Sequence, residues 1–361
     1  MMVVGCDSHK RSITCGAVDA ATGVACGAKT AAAHVDGFDV LVRWARALGG
    51  ERVWAIEDCR HVSGRLERFL IARGERVVRV PPKLMAGARE GARTRGKSDA
   101  IDALAVARAA VREGVQTLPT AWLDERALEL RLLVDHREDL IATRTRDQAR
   151  LRWHLHDLDP TFSVPARALD RPLWWRRVDA RLDREPDSAR VRIARALLEQ
   201  IRAQTASIRQ LEAELAQLTH EHAPDLLAER GCGPLTAAKL IGEIAGADRF
   251  ATDAKVARNA GTAPIPASSG NHTRHRLDRG GNRQLNCALH RLAVNKGIWD
   301  PESAAYLARK QAQGKTRKEA LRCLKRHLTR RVWRLLRTPP TNTSPTVTLH
   351  CNTRTHALAL T

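Results

Sequence analysis

The first 32 residues read as three consecutive strands, and that opening restricts the fold more than any other stretch. "MVVGCD" is a short apolar run, "SITCGAVDA" a second and "GVACGAKTA" a third, with the turn residues Ala21, Thr22 and Gly23 between the last two. Strands joined this closely predict a meander. The period then changes. "DGFDVLVRWARAL" has helical apolar spacing, "ERVWAIED" is a strand, "SGRLERFLIARG" is a helix closing on Gly74, and "ERVVRVPP" is a strand stopped by proline. A meander followed by alternating helices and strands is the element order of an α/β ribonuclease H-like domain. A basic stretch, "REGARTRGK", leads from it into a further helix, "GKSDAIDALAVARAA".

That helix opens with Asp99 and Asp102 three positions apart, which admits two readings. Asp99 as N-cap with Asp102 at N3 is a shortened capping box, favoured by the positive end of the helix dipole. Alternatively Ser98 caps the helix and leaves both carboxylates to a metal. Asp7 ends the first strand and Glu57 the fourth, and in a ribonuclease H-like sheet those strands are neighbours. Residues i and i+3 share a helix face, so Asp99 and Asp102 can point together at the edge carrying Asp7 and Glu57. Four carboxylates meeting without a basic partner repel unless a cation holds them. Oxygen donors of this kind suit Mg²⁺, with Mn²⁺ as the alternative, in phosphoryl-transfer chemistry.

Charge points to the substrate class. Sixty-one Lys and Arg against 40 Asp and Glu give a net charge of +21, which favours a polyanion over an acidic small molecule. With one Tyr and four Phe, the aromatic platforms of single-strand and RNA-recognition folds are poorly supplied, so arginine contacts to phosphate should dominate. No apolar run is long enough for a membrane span and no signal-peptide pattern opens the chain, so a cytoplasmic protein is expected. The eight cysteines include no C-x-x-C pair, as expected of reduced packing residues.

Residues 123–158 and 187–229 are rich in Leu, Ala, Arg and Glu at helical spacing, and residues 120–229 form a helical, coiled-coil-like region beyond the first domain at 1–115. Leu197, Ile201, Ile208, Leu211, Leu215 and Leu218 approach a heptad seam. A dimerising arm and a helix packed within the monomer both satisfy that pattern.

A third, mainly α domain spans 230–337. "GCGPLTAAKLIGEIAG" has the form of a helix-hairpin-helix, with a G-x-G turn whose following N–H groups can meet a phosphate; an ordinary αα-corner is the alternative. His272, His275, Cys287 and His290 approach zinc spacing. Their surroundings, with Arg274, Arg276, Arg279 and Arg283, read better as a phosphate-contacting loop. Residues 315–337 hold ten Lys and Arg against the single Glu319, among them Lys315, Arg317, Lys318, Arg322, Lys325 and Arg326. Leu321, Leu324, Leu328, Val332 and Leu335 run along one side, so this is a basic amphipathic helix suited to a nucleic-acid backbone. The Thr/Pro-rich tail, 338–361, is expected to be disordered.

"GCDSHK", "AIED", "KSDAIDA", "GCGPLTAAKLIGEIAG" and "APIPASSG…HRLDRGGNRQLNCALHRLA", in this order, resemble the DEDD-and-serine transposases of bacterial insertion sequences, the bridge-RNA-guided recombinases of the IS-one-ten family. The likeness runs over residues 1 to about 335, leaving only the tail outside it. It implies a RuvC-like N-terminal domain with Asp7, Glu57, Asp99 and Asp102 as metal ligands. It also implies a C-terminal transposase domain whose nucleophile is Ser269, with Ser268 as the alternative. A structured guide RNA, double-stranded donor and target DNA, and an active site assembled in a homodimer or tetramer are further implications. A hydrolytic RuvC-like nuclease or junction resolvase, in which Ser269 is incidental, and a non-catalytic nucleic-acid-binding relic are the rival readings.

Overall fold

The computed structural model describes residues 1–57, 62–82, 84–85, 98–268, 275–278 and 280–337. Ser269, His272, Arg274, Arg279 and the tail from 338 lie outside the described residues.

The N-terminal region is a mixed α/β unit. Strands β1 (Met2–Ser8), β2 (Ser12–Asp19) and β3 (Ala25–Ala32) form the meander; after helix α1 (Val35–Ala47) come β4 (Arg52–Glu57), α2 (Gly64–Ala72) and β5 (Val77–Val80). The sheet order is β3-β2-β1-β4-β5, antiparallel among the first three strands and parallel from β1 to β4 to β5. β1 is therefore central, which explains its unbroken apolar run: Met2 to Cys6 are all buried. Val4, Cys6, Ile13, Cys15 and Trp54 pack with Phe38, Leu41, Leu66 and Leu70 from α1 and α2 on one face. Val3, Val53, Ala55 and Val78 pack with Ala105, Val106 and Ala109 of helix α3 (Asp99–Glu113) on the other.

Small residues set how closely α3 lies on the sheet. A Cβ on Gly5 would stand 2.2 Å from the Ala103 carbonyl oxygen and 2.4 Å from the Ala107 nitrogen, and one on Gly16 would stand 2.9 Å from the Leu104 side chain. Glycine on β1 opposite Ala103 and Ala107, and on β2 opposite Leu104, thus brings helix and sheet into close contact. The segment after α3 returns to the sheet: Thr120 bridges to Val78, and Ala121 N–H donates to the Val77 carbonyl at 2.9 Å.

Beyond this unit the chain is mostly helical. α4 (Glu125–Leu158), α5 (Pro172–Leu182) and α6 (Ala189–His222) follow, α4 and α6 each 34 residues or about 50 Å long. Asp124 and Ser188 cap them, accepting from the N–H groups of Ala127 and Val191. Arg137 pairs with Glu212, Arg144 donates to Thr205 and Gln204 to Asp147, a descending register that makes α4 and α6 an antiparallel hairpin. Leu197, Ile201, Ile208 and Leu215 are buried in that hairpin, so the seam seen in the sequence is filled largely from within the chain.

The C-terminal helices are α7 (Pro224–Leu227), α8 (Pro234–Ile244), α9 (Asp253–Asn259), α10 (Arg283–Trp299), α11 (Pro301–Ala312) and α12 (Arg317–Arg337), with a short antiparallel pair, β6 (Ile265–Pro266) and β7 (His275–Arg276), between α9 and α10. "GCGPLTAAKLIGEIAG" becomes α8 and the turn before it. Ala237 to Leu240 and Gly242 to Ile244 are buried, and a Cβ on Gly242 would stand 3.0 Å from the Arg131 backbone, so α8 is a core helix pressed against α4. Lys239 on α8, 3% exposed, pairs with Glu138 on α4. Glu138→Gln would leave that ammonium buried without its carboxylate; urea unfolding should show a loss of about 3 kcal/mol. In α12, Leu324, Leu328 and Val332 are buried and Leu321 and Leu335 partly so, with Trp333 also buried beside them. No helix among the described residues is long and apolar enough to cross a membrane.

Candidate metal centre and nucleic-acid interface

Strand parity decides which way the first carboxylates face. Val3 and Gly5 of β1 point to α3, so Asp7, two residues on, lies on that face; Val53 and Ala55 of β4 place Glu57 there likewise. The parallel register pairs Cys6 with Ile56, which sets Asp7 and Glu57 side by side at the same edge of the sheet. The start of α3 lies at that edge too. Ser98 is its N-cap, its Oγ accepting from the Ile101 N–H at 3.3 Å, so Asp99 is the first helical residue. The capping-box reading of Asp99 and Asp102 is thereby corrected: the serine takes the cap, and neither aspartate is needed for it.

His9, just past the end of β1, joins the group. Its Nε2 lies 3.1 Å from Asp7 Oδ2 and 3.6 Å from Asp99 Oδ1. Ligand atoms of Asp7, His9 and Asp99 all fall within 4.8 Å of one another, and among the described residues this is the one such cluster of three or more His, Cys, Asp or Glu side chains. Asp102 and Glu57 stand outside that tight set. Asp102 is nonetheless near enough for its charge to act on Asp7. Asp7 is 18% exposed and Asp99 55%. Burial pushes the Asp7 carboxyl above its ordinary value, His9 opposes this, and repulsion from Asp102 and Asp99 adds to it. His275, Cys287 and His290 form no ligand cluster among the described residues, so the zinc-like spacing has no counterpart there.

The sequence reading missed His9. Its signal was present in "DSH", since a residue two beyond Asp7 shares its side of an extended chain.

Toward the C-terminus, a pair of glycines and a pair of asparagines fix the base of the β6–β7 hairpin. Gly261 has φ of 61°, and a Cβ on Gly281 would stand 2.2 Å from the Gly261 nitrogen, so the segments flanking the pair cross with backbones in contact. Asn282 accepts from the Gln284 and Leu285 N–H groups as the cap of α10, and Asn286 donates to the Ala260 and Gly261 carbonyls at 2.8 and 3.1 Å. Ser268 is exposed, two residues past β6. Of the basic residues singled out, Arg276, Arg283, Arg317 and Lys318 are exposed, and Lys315 and Arg322 half-buried. Lys325 is buried, donating to Asn286 Oδ1 at 2.6 Å, and Arg326 pairs with Asp253 at 3.0 Å.

The cluster of Asp7, His9 and Asp99 and the exposed basic residues toward the C-terminus are compatible with a protein that acts on nucleic acid, and the comparisons with known proteins give the class, a transposase. Residues 4–160 match a family described as transposase, and residues 225–308 match the transposase IS116/IS110/IS902 family. The chain is 32% identical to the 43.6 kDa protein of insertion element IS110 from Streptomyces coelicolor, over 62% of this chain and 67% of that protein. It is 27% identical to the 42 kDa protein of IS900 from Mycobacterium paratuberculosis, over 80% and 84% of the two chains, and 27% identical to the 44.8 kDa protein of IS116 from Streptomyces clavuligerus, over 79% and 82%. The chain belongs to the IS110 family of transposases.

Proposed function

We propose that this protein is an RNA-guided DNA recombinase of an insertion sequence, cutting and rejoining DNA through Ser269 with help from a carboxylate-bound divalent cation. The observation that carries this reading is the meeting of Asp7 and Asp99 around His9 at the edge where β1 and β4 end. The strand order β3-β2-β1-β4-β5 supports a RuvC-like, ribonuclease H-like identity for the domain. RNA guidance is supported by the family resemblance and by the net charge of +21.

The donor set fits a hard divalent cation. Two carboxylate oxygens and one imidazole nitrogen lie within 4.8 Å, with the Asp102 charge nearby, and Asp7 ionises against burial and like charge in the absence of a counter-ion. Carboxylates suit Mg²⁺, and the imidazole makes Mn²⁺ an equal candidate. When bound, the cation supplies Lewis-acid stabilisation of charge on phosphoryl oxygens. His9 holds the Asp7 carboxylate at 3.1 Å and so keeps it aimed at the sheet edge. In the cutting step the Ser269 Oγ–P bond forms as the P–O bond of the leaving strand breaks; the serine hydroxyl loses its proton and the leaving oxygen gains one. Attack by the hydroxyl of a second strand reverses these changes and frees the serine. Arg276 and Arg283 on the exposed surface would contact backbone phosphates, as would Arg317 and Lys318.

The test is an incubation of protein, guide RNA and labelled DNA with Mg²⁺, followed by denaturing electrophoresis. A covalent protein–DNA adduct is expected in wild type and in Ser268→Ala, and none in Ser269→Ala. Cleavage that persists in Ser269→Ala without an adduct would overturn the serine mechanism in favour of a hydrolytic nuclease.

A further inference from the structure

Between β7, the segment 261–264 that leads into β6, and helices α11 and α12 lies a cavity of about 360 Å³, a size that takes a ligand of nucleotide bulk. Six cationic side chains line it against two carboxylates. Both carboxylates are engaged within the protein. Asp278 accepts from Arg258 at 3.1 Å and from the Gly280 N–H at 2.8 Å. Glu319 accepts from the Thr316 N–H at 2.9 Å and its hydroxyl at 2.8 Å, in the capping box that starts α12.

The cations are less well matched. Lys325 is 5% exposed and donates to the neutral Asn286 amide oxygen; among the described residues it forms no ion pair. Arg326 donates through Nη2 to Asp253, while its buried Nη1 has no hydrogen-bond partner among the described residues. Burial holds the Lys325 amine below its ordinary value, and repulsion from Arg322 acts in the same direction. Buried donors without an anion are unfavourable, and a phosphate in the cavity relieves both. The cavity also contains Tyr306, the single tyrosine of the chain, set edge-to-face against His327 with ring centroids 5.2 Å apart. Arg309 and Lys310 lie over the same ring, 5.3 and 5.6 Å from its centroid, so an unpaired base stacks there by displacing one of these cations toward its own phosphate.

We propose that this cavity is a nucleotide pocket, holding one unit of an unpaired DNA strand with its phosphate on Lys325 and Arg326 and its base against Tyr306. The choice of DNA rests on reading the chain as a DNA recombinase, because the cavity adjoins the strand that leads to Ser268.

The pocket can be tested without catalysis, using the full-length Ser269→Ala protein in the absence of divalent cation. Fluorescence anisotropy reads the affinity for a labelled single-stranded deoxyoligonucleotide and for the matching oligoribonucleotide. Lys325→Met and Tyr306→Ala should each weaken DNA binding roughly tenfold, whereas Arg184→Gln, which removes one exposed charge far along the sequence, should change it less than about twofold. Lys325→Met should also lower the slope of log affinity against log salt by about one, and Tyr306→Ala should leave that slope unchanged. Arg322→Gln, on the half-buried rim, gives the same direction of change if Lys325→Met does not fold. Cavity variants that weaken DNA binding no more than Arg184→Gln, or that weaken only RNA binding, overturn the proposal. The two readings fail separately: a missing adduct leaves this binding result standing, and intact DNA binding in the cavity variants removes the pocket but not the serine mechanism.

Discussion

Gly5→Ala should destabilise the protein by about 3 kcal/mol and abolish its activity. The added Cβ would stand 2.2 Å from the Ala103 carbonyl oxygen and 2.4 Å from the Ala107 nitrogen. Both are backbone atoms of α3, so no side-chain rotation relieves the overlap. The helix must lift from the sheet, and Asp99 and Asp102 move with it. β1 is buried on both faces, so it has no room to retreat. Gly64→Ala is the control: its Cβ would meet only the Arg68 guanidinium at 3.4 Å, at the first residue of α2, where alanine favours the helix. Urea unfolding should show Gly64→Ala as stable as wild type or more so, and Gly5→Ala far less stable. A Gly5→Ala protein of unchanged stability would mean that α3 does not sit where the site requires it.

Asp7→Asn should lower recombination at least about a thousandfold while making the metal-free protein more stable. The loss follows from removing the most buried carboxylate of the cluster. The gain follows from its titration. Burial, with repulsion from Asp102 and Asp99, raises the folded-state value above the ordinary 3.8 against the pull of His9. A carboxyl raised on folding disfavours the folded state wherever it is ionised, at pH above its folded value. As pH falls through the raised value to below 3.8 the penalty disappears. Metal-free Asp7→Asn should therefore melt above wild type at pH 7, and the gap should close in acid. Added Mn²⁺ should raise the wild-type Tm and leave the variant unmoved. A variant melting below wild type at pH 7 would mean that the His9 contact outweighs the burial of the charge.

Much of this arrangement can be read from residue order. The meander and the alternation after it follow from period, because both faces of β1 are filled; the close approach of Gly5 to α3 emerges only in the structure. The joint position of Asp7 and Glu57 followed from the expected strand order and appears in the β1–β4 register. The partner of a heptad seam was not legible: Ile201 and Ile208 would look the same against another chain as they do against α4. For His9 the one sequence signal is its two-residue offset from Asp7, and it lies just past the end of β1, where no strand pattern reinforces that offset. Lys325 read as one of a row of solvent-facing cations, yet it borders the apolar stripe next to Leu324 and turns inward to Asn286, a contact 39 residues away in sequence. Side-chain pairings across such separations depend on how α10 and α12 pack, which local pattern does not encode.

Asp7 and Asp99 are proposed to hold a divalent cation at the edge of the sheet. Electron paramagnetic resonance of Mn²⁺ titrated into the full-length protein at neutral pH measures this without DNA, RNA or turnover, since protein-bound Mn²⁺ loses the sharp six-line signal of the free ion. Saturable loss of that signal is expected in wild type, with binding lost in Asp7→Asn and in Asp99→Asn but retained in Ser269→Ala. Equal Mn²⁺ uptake by wild type and both aspartate variants would contradict it.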